Sequence, residues 1–235
     1  MPQKLPCQVQ EIIDHGERVY SLHLKPERSL PRFLPGQFLH LALDEYRLGD
    51  FWPDSRPFSI ASPPNEREHL WITYVVKGAF TGRMENEIHP GRMLWVKLPY
   101  GEFIVEAGND VCLIAGGTGI TALTAFLSGL RPDVSERITL CYGARRPNLL
   151  IYRELVENAA ARCPRLQLQL FSELGSDSSG LIRGQIDISV IWHALADPPA
   201  NHFYLTGPPE MLDMLARALL ERGSSPEQIH IDAWE

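Results

Sequence analysis

The hydrophobic pattern of the chain changes after Gly108-Asn109-Asp110, and this change constrains the fold more than any other feature. Before that point, short apolar runs alternate with turn signals such as Pro35-Gly36 and Pro90-Gly91. Many short strands at such spacing predict a closed antiparallel β-barrel. The predicted strands cover residues 7–13, 19–24, 37–43, 57–61, 70–76 and 93–98.

After the change, apolar runs of strand length are separated by stretches that are long enough for helices. The predicted strands cover residues 111–115, 138–142, 166–171, 203–206 and 229–231. This alternation predicts a doubly wound parallel α/β sheet of five strands. One helix is well marked, because Pro208 and Pro209 suit a first helical turn and Gly223 suits a stop. We therefore predict two domains, residues 1–106 and 107–235.

Composition narrows the function classes. The 235-residue chain is 44% apolar and 22% charged, which is ordinary for a globular protein. A formal net charge of -7 disfavours general binding to nucleic acids or anionic membranes. No apolar run reaches the length of a membrane span, and the first residues form no signal-peptide core. We expect a cytoplasmic protein that binds no nucleic acid.

Metal-ligand patterns are absent from the sequence. The four cysteines, at positions 7, 112, 141 and 163, are too widely spaced for a CxxC pair or an iron–sulfur loop. The eight histidines form no HxxxH pair on a predicted helix. We expect no metal site, so any electron chemistry requires an organic cofactor.

The stretch "AGGTGIT", residues 115–121, lies between a predicted buried strand and a predicted helix. Glycines there permit a tight turn and close approach by a ligand, and a helix N-terminus offers unpaired N–H groups to an anion. The stretch matches neither GxGxxG nor GK[ST]. Its place at the carboxyl end of the first strand of the sheet favours phosphate binding over a plain turn.

Five stretches occur in a fixed order along almost the whole chain: "RPFS" at 56–59, "GAFT" at 78–81, "GGTGIT" at 116–121, "YGAR" at 142–145 and "GPPEM" at 207–211. Together they resemble the ferredoxin–NADP⁺ reductase family. The resemblance implies an FAD-binding barrel followed by an NAD(P)-binding domain. It also implies hydride transfer from NAD(P)H to bound FAD, and electron transfer to a separate acceptor such as a ferredoxin, a flavodoxin or an oxygenase component.

The resemblance assigns roles in FAD binding. Arg56 would pair with the FAD diphosphate, Phe58 would pack beside the isoalloxazine, and the Ser59 hydroxyl would point toward flavin N5. Gly78 and Thr81 would approach the diphosphate where a short helix begins. Phe58 replaces the more frequent tyrosine, which removes one hydroxyl contact. The other expected FAD-binding residues are Pro57, Tyr74, Val76, Lys77 and Phe80.

The resemblance also assigns roles in binding the pyridine nucleotide. Arg145 could contact an adenosine phosphate or be a solvated charge, whereas Glu173 would favour the two free hydroxyls of a ribose. We expect a slight preference for NADH and leave NADPH open. Thr206 stands where many family members have cysteine near the reacting nicotinamide. The residues expected around the nucleotide are Gly116, Gly117, Thr118, Gly119, Gly207 and Pro208.

The chain ends in "HIDAWE", which looks like the family's acidic-x-aromatic ending. Asp232 would help to orient or protonate flavin N5, so the expected catalytic residues are Ser59, Asp232 and Thr206. Trp234 has two roles that the sequence leaves open, which are stacking on the flavin and covering apolar surface at the tail.

Two other functions remain open at this point. One is a free-flavin reductase that treats flavin as a diffusing substrate, and the other is a nucleotide-binding electron-transfer or sensor subunit with slow hydride transfer. No plant-type CxxxxCxxC motif is present, so we expect the acceptor to be a separate chain. A basic face for an acidic acceptor is one interpretation of four cations, with solvated charges as the other: Lys25, Arg28, Arg32 and Arg83.

Overall fold

The computed structural model describes residues 2–106, 108–175 and 180–232. The chain forms two compact units, Met1–Ile104 and Val105–Glu235, each of which is described by itself below. No helix in the described part of the chain is long and apolar enough to cross a membrane.

The first unit is a nearly closed antiparallel barrel with one short helix. Its strands lie in the order β4-β3-β6-β1-β2-β5. The elements are β1 Gln3–Asp14, β2 Val19–Pro26, β3 Phe38–Ala42, β4 Ser55–Ser59, β5 Leu70–Val75, α1 Ala79–Glu87 and β6 Met93–Tyr100. Alternate residues of each strand point into a core of aliphatic side chains, as the period of 2 requires. Helix α1 adds Phe80 and Met84 to that core.

The second unit is an open parallel sheet in the order β10-β9-β8-β7-β11-β12. Its strands are β7 Val111–Gly116, β8 Ile138–Ala144, β9 Leu166–Ser172, β10 Leu181–Arg183, β11 His202–Thr206 and β12 Ile229–Asp232. Its helices are α2 Thr121–Gly129, α3 Arg153–Arg162, α4 Ile188–Ala194 and α5 Pro209–Glu221. Every residue of β7 and β8 is buried, as expected for central strands covered on both faces.

The predicted fold class is confirmed, with one difference in strand number. The sequence predicted five parallel strands, whereas the described residues contain six. The additional strand, β10, is three residues long and pairs with β9 at the edge of the sheet. It lies between Gly180 and Gly184, so its apolar run is too short to be recognised as a strand.

The predicted helix after β11 is also confirmed. Pro208 is the N-cap of α5, and Pro209 is its first residue. The helix buries Leu212, Leu215 and Leu219 on one face. Gly223 follows in a left-handed conformation with φ of 94°, which glycine adopts without a steric cost.

Candidate functional site

The structure brings "RPFS" and "GAFT" together in the first unit. The guanidinium carbon of Arg56, on β4, lies 5.0 Å from the centre of the Phe80 ring, in the first turn of α1. Arg56 Nη1 also donates to Asp54 Oδ1 at 2.6 Å and to the Ser55 carbonyl at 2.8 Å. A half-exposed cation is therefore held beside the start of a helix.

The start of α1 is arranged as an anion site. Gly78 is the N-cap, and the Thr81 hydroxyl oxygen accepts from the N–H groups of Lys77 and Gly78 at 2.9 and 3.1 Å. The N–H groups of residues 79–81 have no carbonyl partner within the helix, so they are the groups that an anion could accept from. The Thr81 hydroxyl in turn donates to the Gly78 carbonyl at 3.2 Å. Thr81 therefore fixes the first turn.

Gly78 supplies a test of whether a ligand fits there. Its φ of -152° is extended backbone that any residue adopts, so its conformation does not require glycine. A Cβ built on Gly78 has no protein atom within 4 Å. The protein itself therefore does not require glycine at this position, whereas a phosphate group in close contact with the backbone would.

Aromatic side chains line the barrel next to "RPFS". The Phe58 and Tyr74 rings meet edge to face with centroids 6.3 Å apart, and Tyr20 lies 5.6 Å from Tyr74. Burial is the main reason that the pKa of Tyr74 is raised, with smaller contributions from Tyr20 and Glu85. Tyr74 therefore keeps a neutral hydroxyl at physiological pH. Its ring lies beside Phe58, the position where the family more often has tyrosine.

The other predicted residues of the first unit lie nearby along the same strands. Ser59 is the last residue of β4, is half-buried, and pairs with Phe38 in the ladder with β3. Pro57 is half-buried on the same strand. Val76 follows β5, packs on the core and donates its N–H to the Arg18 carbonyl at 3.1 Å, while Lys77 is exposed.

In the second unit, "GGTGIT" lies against "TGPP" with almost no space between the two backbones. A Cβ on Gly119 would lie 2.7 Å from Gly207 N and 2.8 Å from Gly207 Cα. A Cβ on Gly116 would lie 2.7 Å from the sulfur of Met211. Thr206 Oγ1 donates to the Gly119 carbonyl at 3.0 Å. Both loops are therefore required to carry glycine where they touch.

Gly117 differs from its neighbours. It has a φ of 55°, and a Cβ there would have no protein atom within 4 Å. Residues 117–120 form one 3₁₀ turn before α2, and Thr118 is half-buried in that turn. The loop follows β7, whose neighbours β8 and β11 lie on opposite sides. This is the point in an open α/β sheet where ligands bind.

The two residues predicted to distinguish NADH from NADPH follow adjacent strands. Arg145 comes after β8 and Glu173 after β9, and both are exposed. Backbone hydrogen bonds join these ends, since Leu174 N donates to the Arg145 carbonyl at 2.8 Å and Glu173 N donates to the Ala144 carbonyl at 3.2 Å. The Arg145 cation and the Glu173 anion thus both lie at the carboxyl ends of the parallel strands.

The predicted residues near the carboxyl end of the chain are only partly described. Asp232 is half-buried at the end of β12 and pairs with Thr206 of β11 in the sheet. Pro208 is exposed at the start of α5. Trp234 lies outside the described residues.

Sequence reasoning missed Met211, although it belongs to the quoted "GPPEM". Its side chain fills the space above two glycines, because a Cβ on Gly116 or on Gly207 would lie within 2.9 Å of it.

Arg83, considered above as part of a basic face, instead forms ion pairs of 2.9 Å with Asp44 and with Glu87. Those carboxylates offset its charge.

Comparisons with known proteins agree with this architecture. Residues 113–217 match the family of oxidoreductase NAD-binding domains. The chain is 31% identical over 221 residues to the reductase component DmpP of phenol 2-monooxygenase from Pseudomonas sp. strain CF600, with 91% of this chain and 60% of that protein aligned. These matches agree with the resemblance to ferredoxin–NADP⁺ reductases that the sequence motifs indicate.

Solved structures of ferredoxin–NADP⁺ reductase-like proteins share the fold. The cytochrome P450 reductase GcoB of Amycolatopsis superposes with a TM-score of 0.84 at 22% identity, covering 99% of this chain and 70% of that one. A ferredoxin NADP⁺ reductase from Neisseria gonorrhoeae with bound FAD and NADP has a TM-score of 0.78 at 18% identity, covering 97% and 98%. At these identities the likeness concerns the fold alone.

The chain spans about 60% of the length of the curated relatives it matches, for example 60% of the phenol 2-monooxygenase reductase component and 57% of a flavohemoprotein from Bordetella pertussis. The similarity to these relatives therefore covers the two units described here. It does not by itself transfer the activity of any whole relative.

Proposed function

We propose that the chain is an FAD-dependent oxidoreductase that takes a hydride from NAD(P)H and passes electrons to a separate acceptor such as a ferredoxin, a flavodoxin or an oxygenase component. In this proposal residues 1–106 bind FAD and residues 107–235 bind the dinucleotide. The similarity to a protein named as the reductase component of a monooxygenase supports the separate acceptor. The four buried free cysteines support a cytoplasmic location.

The observation that carries the proposal is the convergence of three features at the start of α1. The Arg56 guanidinium, the N–H groups of the first helical turn, and the open space beside Gly78 lie on elements that meet through Phe80. Guanidinium and helix N-terminus are the two protein groups best suited to bind phosphate oxygens. A diphosphate such as that of FAD uses both.

The chain's own residues would act by binding and orientation. FAD, when bound, supplies the chemistry of accepting a hydride and releasing electrons. Phe58 and Tyr74 would pack against the cofactor's ring system, and the Ser59 hydroxyl would orient N5 by a hydrogen bond. Asp232 would hold a proton for the same atom. Hydride transfer needs reacting atoms about 3 to 3.5 Å apart, so placement is the protein's main contribution.

In the second unit, the 3₁₀ turn at residues 117–120 would bind the dinucleotide diphosphate with its N–H groups. Glycine would be needed at three positions beside this turn, because a side chain there would displace neighbouring protein atoms: Gly116, Gly119 and Gly207. Glu173 would accept hydrogen bonds from a ribose with two free hydroxyls and repel a 2′-phosphate, which supports NADH as the preferred donor. Arg145 would contact the adenosine phosphate.

An anaerobic absorbance titration with NADH and, separately, NADPH tests the proposal. A yellow protein whose flavin band is bleached by one donor, and then recovers on addition of oxidised cytochrome c, has the proposed activity. A colourless protein that reduces only added FMN or riboflavin is a free-flavin reductase instead. A yellow protein that neither donor bleaches would identify a binding or sensor subunit.

A pair of arginine variants tests the FAD site itself. Arg56→Leu removes the proposed diphosphate contact and should weaken FAD binding by about 10- to 100-fold, the worth of one charge-assisted hydrogen bond pair. Arg47→Leu is a matched control, since Arg47 also pairs with a carboxylate two residues earlier but lies in the loop between β3 and β4, outside the predicted FAD-binding residues. Equal FAD retention in both variants would contradict the assignment of Arg56.

A further inference from the structure

Thr206 has a different environment from the one expected of a residue that touches substrate. It is the last residue of β11 and is 2% exposed. Its hydroxyl donates to the Gly119 carbonyl at 3.0 Å. A hydroxyl has one proton, so this bond uses the only donor of the Thr206 side chain. The side chain cannot donate to a nicotinamide while the bond is made.

The bond joins two loops that already touch through their backbones. Gly119 belongs to the 3₁₀ turn after β7, and Thr206 precedes the turn that leads into α5. A Cβ on Gly119 would lie 2.8 Å from the Thr206 carbonyl carbon and 2.7 Å from Gly207 N. The position of the 3₁₀ turn is therefore set against the end of β11, and the hydroxyl adds a directional bond to that packing.

The Gly119 carbonyl is also part of the turn itself. The Thr121 N–H points to the carbonyls of Gly119 and Thr118, where the turn passes into α2. The Thr121 hydroxyl donates to the Thr118 carbonyl at 2.8 Å. A change at Thr206 therefore acts on the Gly119 carbonyl, whose peptide plane also carries the Ile120 N–H. Through the Thr121 N–H that both carbonyls share, it also acts on the Thr118 carbonyl, whose plane carries the Gly119 N–H.

We propose that Thr206 is a positioning residue that links the glycine turn at residues 116–119 to the end of β11, and thereby presets the N–H groups that bind the dinucleotide diphosphate. This inference rests on the proposed function for its ligand. It replaces direct action on the nicotinamide with action through Gly119. Losing the link should weaken dinucleotide binding and leave the hydride step at saturation almost unchanged.

Thr206→Val tests the proposal because valine has the same shape without the hydroxyl. Thr124→Val is the matched control, since Thr124 is fully buried in the same unit and donates to the Thr121 carbonyl inside α2. NAD⁺ and ADP-ribose binding to the purified full chain is measured by calorimetry. Flavin reduction by NADH is measured by stopped flow, and exchange of the amides of residues 116–121 by mass spectrometry.

The expected result for Thr206→Val is an increase of about 3- to 10-fold in both dissociation constants, the worth of one hydrogen bond. Amide exchange in the turn should be faster, and flavin reduction at saturating NADH should change less than twofold. Thr206→Ser restores the hydroxyl and should recover most of the binding. If Thr206→Val does not fold, Thr206→Cys supplies a weaker donor, and it should bind both ligands more weakly than the serine variant does.

Two results would overturn the proposal. One is a reduction rate at saturation that falls tenfold or more while binding and amide exchange stay unchanged, because that pattern places the hydroxyl on the nicotinamide. The other is a valine variant that matches the wild type in binding and exchange. If the wild-type chain binds no dinucleotide, the proposed function fails together with this role, whereas faster exchange in the valine variant still shows the link.

Discussion

Gly119→Ala is the substitution whose cost follows most directly from the structure. Gly119 has no positive φ, so alanine can adopt its backbone conformation. The added Cβ, however, would lie 2.7 to 2.8 Å from three backbone atoms of residues 206 and 207. Ordinary contacts begin at 3.4 Å, so the two loops must separate by about 0.7 Å to relieve the shortest contact.

The cost of this separation has two parts. Overpacking of a close-packed region costs about 1 to 3 kcal/mol, and here the neighbouring atoms are backbone that cannot rotate away. The separation also stretches the hydrogen bond from Thr206 to Gly119, which contributes about 1 kcal/mol. We therefore expect Gly119→Ala to lower the free energy of unfolding of the second unit by about 2 to 4 kcal/mol.

Urea unfolding followed by pulsed amide exchange in β7 and β11 measures this change without interference from the barrel. Gly129→Ala is the control, because Gly129 ends α2 and a Cβ there has no protein atom within 4 Å. That variant should be unchanged or more stable by up to about 1 kcal/mol, since alanine favours a helix. A loss below 1 kcal/mol for Gly119→Ala would refute the steric reasoning.

Three further predictions concern other parts of the chain. Gly78→Ala should leave the stability of the barrel unchanged, since no protein atom meets the new methyl group, but should lower the FAD content of the purified protein; an unchanged content would contradict a phosphate at that position. The four cysteines should react with a thiol reagent only after unfolding, because all are buried and burial raises the pKa of the Cys7 thiol to about 12; fast labelling of the native protein would argue against this burial. The Arg83 guanidinium holds the pKa of Asp44 below its usual value. The ion pair therefore adds a small stability at pH values above the pKa of Asp44 in the unfolded chain, and this stability is lost as pH falls through the lower pKa of the folded protein. Asp44→Asn should lower the melting temperature slightly at pH 7 and have less effect near pH 3.

Much of the fold could be predicted because the hydrophobic period is local. Short apolar runs between turn signals marked the barrel strands, and apolar runs separated by helical stretches marked the parallel sheet. The edge strand β10 was missed because three residues between glycines carry too little periodicity. Its place beside β9 depends on a register that only the folded sheet sets.

The motifs predicted which segments carry the site, but not what each side chain contacts. The sequence alone indicated that a glycine-rich turn follows the first parallel strand, and the family resemblance implied that a short helix begins near Gly78. Tertiary structure decided that Arg56 lies over Phe80, that Thr206 is buried against Gly119, and that Arg83 is paired. The physical reason is that backbone conformation follows from neighbouring residues, whereas a side chain's partner is chosen by packing between segments that are far apart in the chain.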